Sequence, residues 1–484
     1  MRVQEPLTVV EQAERRRLWK WALILLALIL VLAAVLYWRF HPNRPTDYDD
    51  IVEHFKYGSI GSEAQNGIPY WIVKVLPEMF PEYLPGKGYA SLGLLEEPGR
   101  DLPIGFAKRR VVFDRVGLNC AVCHVGTVRD APGGPRRVIA GMPANNLDLQ
   151  GYVNFLTACA KDPRFTTDNV LAAIESKTDL GPVERFIYRQ AIPLTREAFI
   201  EQGFRMAFMQ TRPAWGPGRV DTFNPYKSIQ FHWPMENDKT IGTSDLPPIW
   251  NQRPREGLQL HWDGNNTSVE ERNKSAALGA GVTPSTIDLA RLKRIEDWLL
   301  DFKAPPYPYE VDQARAARGR AVYEQGCASC HSFGGAQTGR VTHITEIGTD
   351  PHRLDSYTYL LTQNQNLLYA GYDWRFKNFR KTDGYANMPL DGVWLRAPYL
   401  HNGSVPTLRA LLDPPEQRPK QFYRGNDVFD RQNVGFVSDV AEEGGRRYFL
   451  YDTSLPGNWN AGHLYGTDLP PEDKDALVEY LKTL

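Results

Sequence analysis

Residues 118–129 read LNCAVCHVGTVR and residues 326–331 read GCASCH, so Cys120–His124 and Cys327–His331 both spell C-x-x-C-H. In that pattern the two thiols can form thioether bonds to the vinyl groups of a haem, and the adjacent imidazole is held beneath the iron. The competing readings of a bare C-x-x-C are a zinc site and a thioredoxin-like redox pair. A zinc site needs further cysteines or a histidine pair close by, and a histidine directly after both motifs disfavours the redox pair. Two covalent haems are therefore expected, held by Cys120, Cys123 and His124 and by Cys327, Cys330 and His331. The protein then sets ligation, access and potential.

Around the second motif the frame is that of a small single-haem cytochrome. RGRAVYEQG (318–326) precedes it with a helical pattern, and PPEDKDALVEYLKTL (470–484) closes the chain as a terminal helix. Prolines suit the first turn of that helix, and Leu477, Tyr480, Leu481 and Leu484 share one face. The first motif sits in a longer, less regular stretch. Amphipathic helices are expected between about 150 and 210 and at DLARLKRIEDWLLDF (288–302). Proline-cut runs at 41–110 and the tryptophan-rich 211–270 read as loops and short helices. APPYPYEVDQ (304–313) is a proline-rich joint, which puts a domain boundary near residue 308.

At 484 residues the chain exceeds one domain of roughly 150 residues. Its 56 Lys and Arg nearly cancel its 57 Asp and Glu, so no global field argues for nucleic acid. Only Cys159 lies outside the two motifs, which excludes a disulfide framework and leaves that residue as a small buried apolar side chain. WALILLALILVLAAVLYW (21–38) carries no charge, and its length approaches the roughly 20 residues that cross a bilayer. Arg15, Arg16, Arg17 and Lys20 precede it, so it reads as a single-pass anchor in a bacterial inner membrane, oriented by the positive-inside rule, with a cleaved signal peptide as the alternative. The expected organisation is a cytoplasmic tail (1–20), an anchor (21–38), an N-terminal haem domain (41–307) and a C-terminal cytochrome c domain (308–484). The body stands in the periplasm, and the expected fold class is mainly α with extensive loops.

Function turns on the sixth ligands, because an iron held by two protein ligands moves electrons while an open one binds oxygen or peroxide. For the C-terminal haem the candidates are His463, Met388 and His401. For the N-terminal haem they are Met142, His232 and His261, none with a compelling spacing. His54, His343 and His352 read as loop histidines. Trp215, Trp233, Trp250 and Trp262 read as core or loop anchors rather than electron relays.

On HFKYGSIGSE (54–63), LNCAVCHVGTVR, LHWDGNN (260–266), GCASCH, APYLHNGSVPTL (397–408), NAGHLYGT (460–467) and LVEYLK (477–482), the chain resembles the bacterial dihaem cytochrome c peroxidase superfamily. That group also holds the MauG-like enzymes and the dihaem rubber oxygenases, and the similarity is nearest to the rubber-oxygenase-like branch. The resemblance implies a reactive N-terminal haem with His124 proximal, and a C-terminal haem that stores and relays electrons. It also implies that His463, just before the terminal helix, is the second axial ligand opposite His331. The peroxidases use a Met about fourteen residues after the APYxH histidine, but Pro415 stands there. The family often holds calcium between its haems, and no ligands for it stand out in this chain. The expectation is an oxidoreductase that reduces peroxide or activates oxygen, fed by a redox protein or a quinol-linked membrane enzyme. The alternative expectation is a pure electron-transfer cytochrome with no substrate chemistry.

Overall fold

The computed structural model describes residues 8–40 and 43–484. Residues 1–7, in the expected cytoplasmic tail, and 41 and 42, at the start of the expected N-terminal haem unit, lie outside the described residues. The first helix, Val9–Phe40, is longer than the apolar run alone. Thr8 and Glu11 form a reciprocal capping box ahead of it: the Thr8 amide donates to Glu11 Oε2 at 2.8 Å, and the Glu11 amide donates to Thr8 Oγ1 at 3.4 Å. Its described side chains are exposed on every face, and it is the one described helix long and apolar enough to span a membrane. A signal sequence shares that length and composition.

The expectation of a mainly helical chain is corrected: 42% of the chain is helical, and the fold mixes helices with short antiparallel strands. The largest sheet has four strands, in the order Asn43–Pro45, Phe106–Val111, Phe113–Leu118, Ile68–Pro69. Among the described residues six further sheets are two-stranded ribbons, such as Val125–Val128 with Arg137–Ala140 and Arg219–Asp221 with Thr243–Asp245. Between Glu442–Glu443 and Arg446–Arg447, Gly444 and Gly445 take φ of 58° and 80°, the left-handed pair that a tight hairpin needs.

The expected helices appear as Leu149–Lys161, Thr167–Glu175, Pro182–Arg205, Leu289–Asp301 and Pro471–Leu481. Asp148, Thr166 and Asp288 each cap the helix that follows through a side-chain oxygen. The helices Gln313–Gly326 and Pro471–Leu481 pack together around the second motif, with Tyr323 and Tyr480 rings 5.2 Å apart. Leu477 and Leu481 of the terminal helix are buried, as their shared face requires.

Apolar packing runs across the proline-rich joint. One core cluster combines Phe55, Ile60 and Ala121 with Tyr357, Leu361 and Phe376; another combines Val128, Met142 and Trp250 with Trp394, Val405 and Leu477. Buried ion pairs do the same. Asp245 Oδ1 accepts from Arg424 at 2.6 Å, Asp263 Oδ1 accepts from Arg353 at 3.1 Å, and Asp427 Oδ1 accepts from Arg129 at 2.5 Å.

Candidate haem sites

The strand Phe113–Leu118 delivers the first motif, and Asn119 fixes its start. The fully buried Asn119 side chain accepts from the Ala121 amide at 2.9 Å and donates to the Gly58 carbonyl at 2.9 Å. HFKYGS is thereby tied to the attachment turn. Gly105 presses on the same turn with φ 89°, and a Cβ there would stand 2.4 Å from the Val122 nitrogen, so only glycine fits.

One helical turn, Ala121–His124, then sets Cys120, Cys123 and His124 on the wall of one large cavity of about 1160 Å³. Both thiols are free. His124 Nδ1 lies 2.9 Å from the Pro247 carbonyl, which can only accept, so the ring is the Nδ1–H tautomer and Nε2 keeps its lone pair. Burial, then the charge of Arg272, pushes its pKa down to about 3, so the ring is neutral, the form that ligates a metal. The cavity is mainly apolar, with Val122, Leu292, Leu299, Leu361 and Phe379 on its walls. Free thiols, a free imidazole nitrogen and an apolar space beside them fit a covalently attached haem.

At the second motif the turn Ala328–His331 carries Cys327, Cys330 and His331. His331 Nδ1 lies 2.8 Å from the Met388 carbonyl, the same arrangement as at His124. The His463 ring faces it with centroids 6.3 Å apart and planes at 42°. A metal–imidazole bond is about 2.0–2.1 Å and a ring centre lies about 1.2 Å behind the bonded nitrogen, so two imidazoles across one metal have centres about 6.5 Å apart. The observed spacing fits an iron between the two rings.

His463 is held with force. Its φ is 47°, and its amide donates to the Ile347 carbonyl at 2.8 Å. Buried Arg418 donates to the Asn460, Gly462 and His463 carbonyls at 2.6, 2.8 and 3.2 Å, and to the Asp413 and Leu411 carbonyls at 2.9 and 3.2 Å. Burial, then nearby His331 and Arg418, pushes the His463 pKa down to about 3.

The remaining candidates are placed differently. Met388 contributes its main-chain carbonyl behind His331. His401 is buried with its ring stacked 3.9 Å from that of Tyr385, and its carbonyl accepts from the Asp245 amide at 2.9 Å. Met142 is fully buried in the core cluster of Trp250 and Trp394. His232 and His261 both line the cavity, His232 exposed and His261 stacked on Phe379 with its Nδ1 against Asn265 Oδ1. Among the described residues no second imidazole stands opposite His124 as His463 stands opposite His331.

His54, His343 and His352 are not in loops: His343 ends the strand Val341–His343. His54 is buried in the helix Ile51–Tyr57, and His352 opens the helix His352–Ser356 beside Asp350. Cys159 is fully buried, and Trp215 and Trp250 are core residues. Trp262 donates its indole N–H to the Asp245 carbonyl at 2.8 Å. Among the described residues no three His, Cys, Asp or Glu side chains cluster so as to hold a metal ion. Asn119 and the Pro247 carbonyl carry local roles that residue type alone does not announce.

Residues 384–424, which include Met388 and His401, match a family model described as RoxA-like, cytochrome c-like. A cytochrome c-like segment of this kind implies covalently bound haem c. The chain is 34% identical over 283 residues to the uncharacterized protein y4iM of Sinorhizobium fredii (strain NBRC 101917 / NGR234), a match covering 50% of this chain and 64% of that one. It is 25% identical over 524 residues to the uncharacterized protein y4iJ of the same strain, covering 84% and 85% of the two chains. The chain thus spans just under two thirds of the first relative's length.

Proposed function

We propose that this chain is a dihaem c-type oxidoreductase whose two haems divide the work. Cys327, Cys330, His331 and His463 hold a haem that stores and relays electrons. Cys120, Cys123 and His124 hold the reactive one, open to a small oxidant, peroxide or oxygen. The observation that carries this is the asymmetry of the sites: imidazoles paired at 6.3 Å at the second motif, and at the first His124 on the wall of a mainly apolar cavity of about 1160 Å³ with no imidazole ring paired to it among the described residues. Haem iron supplies one-electron chemistry, and an open coordination position on it binds a small oxidant.

The chain's own groups set the rest. The Pro247 and Met388 carbonyls fix the tautomer and orientation of His124 and His331 and make both rings stronger donors. The mainly apolar cavity wall limits water beside the open face, which strengthens every charge interaction within it. The helix Val9–Phe40 serves as a single-pass anchor that holds the body on the periplasmic side of an inner membrane. Electrons then arrive from a redox protein or a quinol-linked enzyme at that surface.

The test is the absorption and low-temperature electron paramagnetic resonance of the protein carrying both haems, oxidised and reduced, with and without peroxide and carbon monoxide. One high-spin, ligand-accessible haem beside one low-spin bis-histidine haem is expected. Two low-spin haems inert to both ligands would overturn the catalytic reading and make the chain an electron carrier.

A further inference from the structure

One segment of the body carries exposed apolar side chains and unpaired cations side by side. The helix Tyr359–Leu367, capped by the Thr358 hydroxyl, buries Leu361, Thr362 and Gln365 and turns its other side outward. There Tyr359, Leu360 and Leu367 are 67%, 58% and 69% exposed, and Tyr372 beyond the helix is exposed as well. Leu360 and Leu367 stand seven positions apart, so they share one face. None of these four lies on the wall of the cavity beside His124, so the group that fills that cavity is not what covers them.

The cations follow directly. Residues 372–381 read YDWRFKNFRK, four cations against the single acid Asp373, in a chain whose net charge is -1. Arg375, Lys377 and Arg380 are exposed, and their side chains have no hydrogen-bond or ion-pair partner among the described residues. The loop that carries them is pinned beside the helix. Glu271 accepts from the Lys377 and Asn378 amides at 2.8 and 3.0 Å, and the Asn366 side chain donates to the Phe379 carbonyl at 2.9 Å.

Exposed aromatic and aliphatic side chains flanked by arginine and lysine match a bilayer interface, where the apolar groups enter the acyl boundary and the cations meet anionic headgroups. The tether selects this occupant. Three peptide steps, about 10 Å at full extension, separate the end of the helix Val9–Phe40 from the strand Asn43–Pro45. Tyr48, three residues after that strand, and Trp374 pack on one apolar cluster with Phe55 and Phe376. An anchored chain therefore holds the patch close to the membrane, and a short tether raises the effective concentration of its target to about the millimolar range. We propose that the segment 359–380 is a membrane-docking surface that takes anionic phospholipid headgroups and seats the body on the bilayer carrying its anchor. This rests on the reading of Val9–Phe40 as a retained anchor. Leu361, Gln365 and Phe379 of the same segment line the cavity beside His124, so docking sets that wall next to the lipid.

In the holoprotein haem attachment takes four of the five cysteines and Cys159 is fully buried, so one introduced cysteine carries a spin label alone. Full-length holoprotein bearing Leu360→Cys, Leu367→Cys or, as an exposed reference, Leu455→Cys is placed in nanodiscs of phosphatidylcholine with and without phosphatidylglycerol. Collisions of each label with bilayer-soluble oxygen and with an aqueous nickel chelate are compared. With phosphatidylglycerol, labels at 360 and 367 should gain oxygen contact and lose nickel contact, while the label at 455 stays aqueous. Each surface cation contributes about 1 kcal/mol, so Arg375→Gln, Lys377→Gln and Arg380→Gln should each lower the ratio of docked to undocked label roughly 5-fold. Labels at 360 and 367 that remain aqueous in both discs would overturn the proposal. Labels shielded from both reagents already in detergent would assign the patch to a second copy or another protein, and overturn it too. Lipid contact indifferent to phosphatidylglycerol and to all three substitutions would show apolar insertion alone and overturn the headgroup assignment. A holoprotein whose mass lacks the N-terminal helix would instead remove the anchor reading, and its labels, read on phosphatidylglycerol vesicles, then decide the patch by the same outcomes.

Discussion

The imidazoles of His331 and His463 face one another with ring centres 6.3 Å apart although 132 positions separate them in the chain. His463→Ala is therefore expected to convert the second haem from six-coordinate low-spin to high-spin, or to make its sixth position exchangeable. Met388→Ala should leave it low-spin, since residue 388 serves His331 through a main-chain carbonyl that alanine also has. Electron paramagnetic resonance of the two variants checks this. The opposite pattern would hand the ligand position to Met388.

Arg418 holds the loop that presents His463. It is 2% exposed, has no ion-pair partner among the described residues, and satisfies five carbonyls, including that of His463 itself. Arg418→Leu leaves those acceptors buried and unpaired, at about 1–3 kcal/mol for each that finds no water. We expect a loss of roughly 3 kcal/mol or more in denaturant unfolding. The low-spin signal of the second haem should disappear at a lower temperature than the global transition. Arg418→Lys, with fewer and differently aimed donors, should fall between the two. A low-spin signal that persists up to global unfolding in Arg418→Leu would show that the loop holds its shape unaided.

Much of this arrangement was legible in the sequence. The C-x-x-C-H turns, the capped amphipathic helices and the terminal helix all depend on spacing within a few residues. Strands such as Ile68–Pro69 or Phe429–Asp430 are two residues long and show no period, so the ribbon content stayed hidden and the chain read as mainly helical. The Pro247 carbonyl was equally invisible, because a main-chain acceptor has no residue type. Arg418 looks like any surface arginine until tertiary packing surrounds it. His54 read as a loop histidine because its helix spans only seven residues.

Glu296 gives the protein a pH dependence with a definite sign. It is 8% exposed on the cavity wall, and its Oε1 has no hydrogen-bond partner among the described residues. Burial, then the neighbouring Glu270, raises its pKa to about 7, against the opposing pull of Lys274 and Lys293; Asp297 adds to the rise. A raised folded-state value means that its contribution is fully present below about pH 4.5 and is lost as pH rises through about 7. At about 1.36 kcal/mol per pKa unit the ceiling is roughly 3 kcal/mol. Glu296→Gln should remove this slope: its stability relative to wild type rises between pH 5 and pH 8, measured by denaturant midpoints of the holoprotein. Parallel curves for the two proteins would show that the carboxyl is already ionised at pH 5.

Two glycines of one helix should respond oppositely to the same substitution. A Cβ at Gly319 would stand 1.8 Å from the Ala476 carbonyl oxygen and 2.4 Å from its carbon, because the helices Gln313–Gly326 and Pro471–Leu481 touch backbone to backbone there. Neither backbone can yield alone: the Asp312 amide donates to Glu479 at 2.8 Å, and Arg318 bonds Asp473 at 2.7 Å on either side of the contact. Gly319→Ala must push the helices apart, at a cost of about 1–3 kcal/mol. At Gly326 nothing lies within 4 Å of the new carbon and φ is not positive, so Gly326→Ala gains helix propensity, up to about 1 kcal/mol. Urea denaturation of the two variants reads both signs directly. Because Pro471–Leu481 begins eight residues after His463, the Gly319 variant should also broaden the low-spin signal of the second haem, whereas the Gly326 variant should not. Equal stabilities for the two would mean that the helix contact is looser than the close approach at Gly319 requires.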